Sequence, residues 1–399
     1  MESTESKSLS ESEKRERMLR VLAAITFLIF FQGYMVAPMI PGLATTFGVS
    51  TQRIGLVVPA YLIPYGISTL FFGLLSDWLG RRRIMLASLA TFAALTGLTA
   101  TSGTANQMIF WRLLTGLGAS GVVPLALVLI GTLFPFNERG RPLGWLFGAM
   151  AGGMAFGSTF GVLLEPIIGW RGVFLAVSAC GFLELLLLRP YLALLGERPP
   201  TRTLTLDAVV SGYRQLLIAP RAQRTYFYVF VNAIFHSGIF TWLGLLFSRR
   251  YGLGNIGIGI ALLGYGVPGF ILGPVIGRAA DRWGRRWLIP AGLGLAVLSA
   301  LLLVPAWPIA FAVVAVTILS LGYDMTQPPL AGIVTALDPK RAGQAMGLNV
   351  FALFTGFGLG SLLFGWALQL GFTKALVIFV GVQSATALIA VALFRSERS

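Results

Sequence analysis

Charged residues are scarce in this chain. Of its 399 residues, 11% are Asp, Glu, Lys or Arg and 56% are hydrophobic, and the mean hydropathy is +0.81. Soluble globular proteins carry about 25% charged residues, because polar side chains must cover their surface in water. The deficit excludes an ordinary soluble protein and indicates that lipid is the solvent for most of the chain.

Cysteine and histidine are nearly absent as well. The single cysteine, Cys180, excludes an internal disulfide framework and a cysteine-based metal cluster, and its position in a hydrophobic run predicts a packed thiol. The chain has no G-x-x-x-x-G-K-[ST] phosphate loop, no grouping of metal ligands and no nucleophile constellation. The sequence therefore predicts no enzyme, no cofactor, no metal site and no direct use of ATP.

Most of the charges that are present are basic, and the formal net charge is +15. A nucleic-acid binder could carry this charge, but here the basic residues gather on one side of the hydrophobic segments. Because basic residues in short loops mark the cytoplasmic side, we expect both termini to be cytoplasmic and no nucleic acid as partner. The exceptions are Arg53, Arg171, Arg249, Arg250 and Lys374 on the other side, and Arg112 inside a segment.

Twelve hydrophobic segments are long enough to cross a bilayer, since a crossing needs about 20 apolar residues. We expect a disordered cytoplasmic tail over 1–17, a first half over 18–195, a cytoplasmic linker over 196–223 that contains an amphipathic helix, a second half over 224–395, and a tail over 396–399. The predicted spans lie near 18–45, 53–75, 84–102, 106–133, 142–167, 171–195, 224–248, 255–278, 287–304, 307–335, 343–369 and 373–394.

A sequence repeat relates the two predicted halves. A loop pattern that follows the second span returns after the eighth, with its glycines, aspartate and paired arginines matched at one common offset. Such a duplication predicts two parallel halves related by an axis along the membrane normal. The matched positions are Gly73, Asp77, Gly80, Arg81 and Arg82 in the first copy, and Gly277, Asp281, Gly284, Arg285 and Arg286 in the second.

Three motifs resemble the major facilitator superfamily. The loop G-x-L-x-D-x-x-G-R-R is similar to the signature loop of that family. Pro38-Met-Ile-Pro41 and Arg112-Leu-Leu-Thr-Gly116-Leu-Gly are similar to motifs of its twelve-span drug/proton antiporter branch. The resemblance covers residues 18 to 395. It implies an all-α membrane protein with twelve transmembrane helices in two pseudo-symmetric six-helix bundles.

The chain also departs from the family pattern at several positions. Trp78 stands where the signature loop usually has a basic residue, and Ser158 and Val162 replace the proline and the last glycine of the span-5 antiporter motif. Span 1 lacks the acid that antiporters of this branch often carry. The resemblance implies that the loop latches the two halves on the cytoplasmic side, with Asp77 bracing the start of span 11. A plain basic loop with a turn glycine is the alternative.

Ionisable residues inside the spans are the candidates for proton coupling, because a charge at the centre of the bilayer costs several kcal/mol. Asp324, deep in span 10, is the favoured proton carrier, and its alternative is a structural hydrogen bond to a neighbouring helix. Glu184 in span 6 and His236 in span 7 are further candidates, with an ion pair and simple packing as their alternatives. Glu165 is expected to pair with Arg171.

The substrate-cavity candidates are polar or aromatic residues in the predicted spans. The resemblance implies that the basic residue of span 4 faces the cavity, while the aromatics of span 1 suit either an apolar pocket for amphipathic molecules or ordinary packing. These candidates are Arg112, Gln32, Tyr34, Phe31, Asn232 and Gln327. Gly153, Gly157 and Gly161, spaced by four residues, predict close approach of helix backbones.

Together these features predict a secondary active transporter of the cell (inner) membrane that exports a small organic compound, drug-like or a metabolite, by proton antiport with alternating access. Its partners would be the substrate, protons and the bilayer, with the proton gradient as energy source, and the family resemblance implies a monomer. Proton-linked uptake or uncoupled facilitation of a metabolite is one alternative, which the altered span-5 motif favours. Lipid transport and a non-transporting sensor are the others.

Overall fold

The described part of the chain is helical and contains no strand. The computed structural model describes residues 2–134, 140–195, 206–268, 271–272, 275–276, 284–338 and 341–397. Gly277 and Asp281 of the second predicted latch copy lie outside these ranges, as do residues 196–205 of the linker and 398–399 of the tail.

The helices follow one another with short connections. In the first half of the chain they are α1 (Glu2–Tyr34), α2 (Ile40–Phe47), α3 (Thr51–Gly55), α4 (Pro59–Leu79), α5 (Arg81–Thr99), α6 (Ala105–Ala119), α7 (Val122–Leu133) and α8 (Gly140–Leu188). In the second half they are α9 (Leu206–Ile218), α10 (Pro220–Tyr251), α11 (Asn255–Leu262), α12 (Arg285–Leu303), α13 (Ile309–Asp324), α14 (Gln327–Thr335), α15 (Ala342–Ala367) and α16 (Phe372–Leu393). Short 3-10 segments cover Ala37–Met39, Arg189–Leu195 and Leu368–Leu370.

Nine helical stretches among the described residues are long and apolar enough to cross a membrane. The longest, Trp145–Leu195, covers the fifth and sixth predicted spans, and its backbone turns at Gly169, where φ is 70° and ψ is 159°. The third predicted span corresponds to α5, and the eighth lies partly outside the described residues. The all-helical fold is therefore confirmed, while the number of twelve spans stays a prediction.

Where a disordered tail is expected, α1 begins at Glu2 and continues into the first span. Residues 2–17 contain no glycine or proline, so nothing in them interrupts a helix. Glu13 and Arg17 also form an ion pair one helical turn apart, which adds a few tenths of a kcal/mol to an exposed helix.

Close backbone contact joins α8 to α1. A β-carbon added at Gly153 would lie 2.5 Å from the carbonyl oxygen of Phe27, and one added at Gly157 would lie 2.8 Å from Cα of Phe31. A β-carbon added at Gly161 would lie 2.9 Å from Cα of Met35, just after the end of α1. The three glycines thus make the close approach that their spacing predicts, and dispersion between backbones takes the place of the hydrophobic effect, which is weak inside lipid.

The second half repeats this contact between α15 and α10. A β-carbon at Gly356 would lie 2.7 Å from the carbonyl oxygen of Phe230, and one at Gly360 would lie 2.7 Å from Cα of Ile234. The two glycines are again one helical turn apart. Glycines one helical turn apart therefore bring the backbones of two long helices together in each half.

The two halves touch at the end of the bundle distal to the termini. The indole of Trp242 in α10 is buried and donates a hydrogen bond to the carbonyl oxygen of Ser361 (2.9 Å). A β-carbon at Gly55, in the first half, would lie 2.9 Å from Cζ2 of this ring and closer still to Cη2, and one at Gly365 would lie 2.6 Å from Cζ2. Trp242 fills a notch between two glycines, one from each half, and closes this end.

The C-terminal segment is anchored rather than free, although residues 396–399 were predicted as a tail. Arg221 donates two hydrogen bonds, each 2.8 Å, to the two carboxylate oxygens of Glu397, and Arg224 donates a third. The backbone N–H of Arg286 donates to the carbonyl oxygen of Glu397 (3.1 Å). We call this arrangement of Glu397, Arg221, Arg224 and Arg286 the C-terminal clasp. It ties the first turn of α10 to the first turn of α12.

The hydrogen bonds that Arg221 donates hold the pKa of Glu397 below its ordinary value, and the bond from Arg224 lowers this pKa further. A carboxyl with a lowered folded pKa stabilises the fold above the ordinary glutamate pKa, about 4.3, and this contribution is lost as the pH falls through the folded value. The clasp is therefore fully charged at neutral pH.

Glu397→Gln should lower the free energy of unfolding by about 1–3 kcal/mol at pH 7, because it removes a buried carboxylate that pairs with arginines. The loss is smaller than for a fully buried pair, because the side chain of Arg221 is half exposed and solvent screens it. Thermal unfolding of detergent-purified protein measures the difference, which should shrink below about pH 4. Glu13→Gln, in the exposed pair with Arg17, is the control and should change little. Equal melting temperatures for the wild type and Glu397→Gln at pH 7 would contradict the clasp.

Gly157→Ala should destabilise the protein by about 1–3 kcal/mol or more, because its β-carbon would press on the backbone of α1 and force two helices apart. Gly148→Ala, on the same helix with nothing within 4 Å of the new carbon, should be neutral or slightly stabilising. Melting temperatures in detergent compare the two. A Gly157→Ala protein as stable as Gly148→Ala would show that the helices are not packed this closely.

Candidate functional site

Aromatic rings from both halves meet where α1 and α4 face α10 and α15. The ring of Tyr65 stacks on that of Phe354 with centroids 4.3 Å apart, and Tyr34 lies 5.5 Å from Phe240. Nearly all of these side chains are buried. We call this set the aromatic cluster. Its members are Phe30, Tyr34, Tyr61 and Tyr65 from the first half, and His236, Phe240, Tyr265, Tyr323, Phe354 and Phe357 from the second.

Several polar atoms in and beside the aromatic cluster have no hydrogen-bond partner among the described residues. They are the amide of Gln32, the hydroxyls of Tyr61 and Tyr65, and both ring nitrogens of His236. Buried polar atoms are nearly always paired in proteins, and an unpaired one costs about 1–3 kcal/mol. The site therefore combines an apolar lining with donors and acceptors that a polar guest could satisfy.

Arg112 lies fully buried at the edge of this cluster. Its guanidinium donates to the carbonyl oxygens of Val57 (3.2 Å), Gln32 (3.3 Å) and Gly33 (3.4 Å) and stands 4.3 Å above the ring of Tyr61. Two of these carbonyls belong to the last turn of α1, where the helix leaves its C=O groups without helical partners. A cation is favourable at that end of a helix. Arg112 thus ties three elements of the first half together.

The spacing of the span-4 motif has a geometric reason. Gly116 follows Arg112 by one turn, and a β-carbon added there would lie 3.0 Å from the carbonyl carbon of Tyr61. The glycine lets α6 lie against the backbone of α4, which brings the guanidinium within reach of α1. Gly118 does the same toward α5, where a β-carbon would lie 3.0 Å from Cβ of Thr91.

Arg112→Lys should lower the apparent melting temperature by several degrees, because a lysine ammonium cannot reach three carbonyls and stack on a ring as a planar guanidinium does. Thermal unfolding in detergent measures this. Arg53→Lys is the matched control, since Arg53 is exposed and makes one side-chain bond, to Asn106 (2.7 Å), so little change is expected. If both substitutions behave alike, the role given to Arg112 is wrong.

Asp324 is the last residue of α13, at a break in the tenth predicted span. The next helix begins with Gln327, and Pro328 and Pro329 lack the N–H groups that would continue the hydrogen bonds of α13. The carboxylate is half-buried and accepts a long hydrogen bond from Ser320 (3.4 Å). Tyr323, beside it, places its ring 5.3 Å from His236. The structure therefore brings Asp324 to the border of the aromatic cluster.

Buried amides surround the same break. Asn232 donates to the hydroxyl of Thr326 (2.7 Å) and accepts from the amide of Gln383 (3.2 Å). Gln327 donates to the carbonyl oxygen of Val229 (3.3 Å). Asn232 and Gln327 are thus engaged within the second half, whereas Gln32, Phe31 and Tyr34 lie on α1 at or beside the cluster.

Glu184 lies apart from this site, on the last part of α8. It is 8% exposed, and its Oε2 atom has no partner among the described residues. Leu183 and Leu187 are 54% and 49% exposed, so their face of the helix points outward, while Glu184 lies on the opposite, buried face with Leu188. Cys180 is also exposed on this helix, which corrects the prediction of a packed thiol. It shares the outward face with Leu183 and Leu187, at i+3 and i+7.

The expected pair of Glu165 with Arg171 is wrong for this structure. Glu165 accepts a hydrogen bond from Asn255 of α11 (3.0 Å), and Arg171 donates to the carbonyl oxygen of Ser102 (3.0 Å) and stacks on Trp170. The turn of the backbone at Gly169 separates the two side chains. Glu165 instead links the first half to the second at the distal end.

Gly80 and Gly284, which hold matching positions in the two signature-loop copies, have similar backbone conformations. Gly80 has φ 88° and Gly284 has φ 80°, values that favour glycine, and each precedes a helix that starts with arginines. Arg81 and Arg82 open α5, as Arg285 and Arg286 open α12. The backbones of Gly73 and Asp77 belong to α4, but their packing lies outside the described part, so the latch stays a prediction.

Sequence reasoning missed much of the aromatic cluster. A helical spacing of aromatic residues was a usable signal for two of its parts. It relates Tyr61 to Tyr65 on span 2, and Phe354 to Phe357 on span 11. Gln383 was missed too, although a lone amide in the last apolar span was a usable signal. Only the contact between the halves shows that these residues meet.

Comparison with known proteins gives the family. The sequence model of the Major Facilitator Superfamily matches residues 22–262 and 226–399. The chain belongs to the major facilitator superfamily. An uncharacterised transporter of this superfamily from Bacillus subtilis, YceJ, is 26% identical over 350 residues, covering 87% of this chain and 88% of the relative. A chloramphenicol resistance protein of Streptomyces lividans is 25% identical over 376 residues, covering 90% and 94%.

The fold agrees with this assignment. The crystal structure of a D-xylose–proton symporter superposes with a TM-score of 0.75 at 17% identity, covering 94% of this chain and 96% of that one. The family expected from the signature loop is therefore confirmed. As a member of the major facilitator superfamily, the chain is a multi-pass membrane transporter, and a small-molecule substrate follows from the family.

Proposed function

We propose that this protein is a secondary active transporter of the cell membrane that exports a small organic compound in exchange for protons. The proposal includes twelve spans in two pseudo-symmetric bundles and cytoplasmic termini. Its main support is the aromatic cluster between the halves, where apolar rings surround polar atoms without partners. Among the relatives, the chloramphenicol resistance protein of Streptomyces lividans matches over most of its length.

The aromatic cluster is the proposed substrate site. Such a surface favours an apolar or aromatic molecule with a few hydrogen-bonding groups. Gln32 and His236 supply an amide and an imidazole from opposite halves, so one substrate could be held by both. Because Arg112 is already bound by three carbonyls, an anionic substrate is not required to explain it.

Asp324 is the proposed proton carrier among the three candidates. It ends a half-helix beside Tyr323, whose ring contacts His236, so its charge can act on the substrate site. Glu184 is buried on the last part of α8, on the face whose Gly181 packs against Ala93 of α5, and His236 is enclosed by rings. Antiport needs a group whose proton affinity differs between the two states, and the place of Asp324 at a helix break beside the proposed substrate site favours it.

The closed distal end supports alternating access. Trp242 fits between Gly55 and Gly365, and Glu165 accepts a hydrogen bond from Asn255 across the halves. Both contacts must break when the site opens to that side. A rocking of one half against the other about the aromatic cluster would accomplish this.

Asp324→Asn should abolish substrate-driven proton movement, because the amide cannot take up or release the proton. Purified protein in liposomes with an internal pH dye would be challenged with chloramphenicol first, then with other drugs, sugars, amino acids and lipids. Glu184→Gln is the matched control and should keep coupling. Coupled flux that survives in Asp324→Asn but not in Glu184→Gln would reassign the proton site and overturn the proposal for Asp324.

The second candidate function is proton-linked uptake or uncoupled facilitation of a metabolite. Ser158 and Val162 favour it, since they replace residues of the antiporter motif. In the same liposomes, substrate movement at equal rates with and without a pH gradient would support facilitation. Movement of labelled lipid between leaflets would support a lipid transporter instead.

A further inference from the structure

Three buried polar side chains form a directional chain of hydrogen bonds across the second half. The amide N–H of Gln383 donates to Oδ1 of Asn232 (3.2 Å), and the amide N–H of Asn232 donates to the hydroxyl oxygen of Thr326 (2.7 Å). The Thr326 hydroxyl lies 2.9 Å from the carbonyl oxygens of Gly322 and Tyr323 and donates to this pair. We call Gln383, Asn232 and Thr326 the amide chain. Every donor in it points toward the last turn of α13.

The amide chain links two helices, α16 and α10, to a single turn at the end of α13. Gln383 belongs to α16 and Asn232 to α10, while Thr326 lies between α13 and α14. All three side chains are at most 1% exposed. Hydrogen bonds aligned in one direction strengthen one another in a low-dielectric interior, and an amide left unpaired there costs about 1–3 kcal/mol. The chain therefore resists any movement of the turn on which it ends.

That turn is the one that carries Asp324. The backbone N–H of Thr326 donates to the carbonyl oxygen of Tyr323 (3.0 Å), and the N–H of Met325 donates to that of Leu321 (3.0 Å). Asp324 lies in the turn that these two hydrogen bonds close. The hydroxyl of Thr326 binds the carbonyl oxygens of the same turn, so it also fixes the position of the Asp324 Cα atom. Gly292 presses on the turn from α12, since a β-carbon there would lie 2.9 Å from the carbonyl oxygen of Gly322.

We propose that the amide chain is a positioning device that sets the place and the proton affinity of the Asp324 carboxylate. The inference rests on the proposed function, in which Asp324 carries the proton. The titratable groups that face this carboxylate are Tyr323 beside it, Tyr265 from the segment after α11, and His236 from α10 through the Tyr323 ring. Arg285 and Arg286 open α12, about two turns before Gly292, and the guanidinium of Arg285 lies against Gly332 of α14. The amide chain fixes the distances from Asp324 to these groups.

The variant that tests this inference is Thr326→Val, which keeps the volume of the side chain and removes the hydroxyl. Thr326→Ser, which keeps the hydroxyl, is the matched control. The readout needs no substrate: the carboxylic-acid C=O infrared band of the protein in lipid is titrated with pH, and the band missing in Asp324→Asn is assigned to Asp324. We expect Thr326→Val to move the titration midpoint by about one pH unit, a tenfold change in proton affinity, and Thr326→Ser to leave it in place.

A second variant covers the case in which Thr326→Val does not fold. Gln383→Leu removes the first donor and leaves the Asn232–Thr326 bond intact, so it should move the midpoint in the same direction by a smaller amount. An unmoved midpoint in the folded variants, with coupling lost in Asp324→Asn, would overturn the positioning role alone. Proton-coupled flux of chloramphenicol that survives in Asp324→Asn would overturn the proposed function and the transport role of the amide chain together.

Discussion

Close approach of helix backbones at glycine is the contact on which the rest of this structure depends. Inside a bilayer, burial of apolar surface gives little driving force between helices, so association must come from dispersion at short range. Gly157 against Phe31 and Gly116 against Tyr61 bring main chains together where any side chain would hold them apart. The reach of Arg112 to the end of α1 follows from these short distances.

Polar groups inside the bundle are handled in two ways. Arg112 donates to carbonyl oxygens that have no partner within a helix, and Asn232 is hydrogen-bonded within the amide chain. Both side chains are therefore paired by the protein itself. Gln32 and His236 have no such partners among the described residues. The contrast separates groups that support the bundle from groups that remain available to a guest, although all of them look alike as polar residues in apolar spans.

The sequence predicts the membrane class, the family and the glycine contacts well, because hydropathy, the repeated loop and a four-residue spacing are local patterns. It does not predict the aromatic cluster, whose members come from six segments far apart in the chain. The partner of Glu165 is equally hidden, since its nearest base in sequence, Arg171, lies beyond a turn at Gly169. Pairing between distant segments depends on how the halves meet, which no local pattern records.

The C-terminal clasp also has a consequence for biosynthesis. Arg221 precedes Glu397 by 176 residues, and a chain that grows at roughly 5–20 residues per second needs about 9–35 s to reach the acid. During that interval the two arginines at the start of α10 are without this counter-ion, and uncompensated basic residues beside a span direct its orientation in the membrane. The same side chains can thus guide insertion of the second half while it is being made and lock its packing once the last helix has entered.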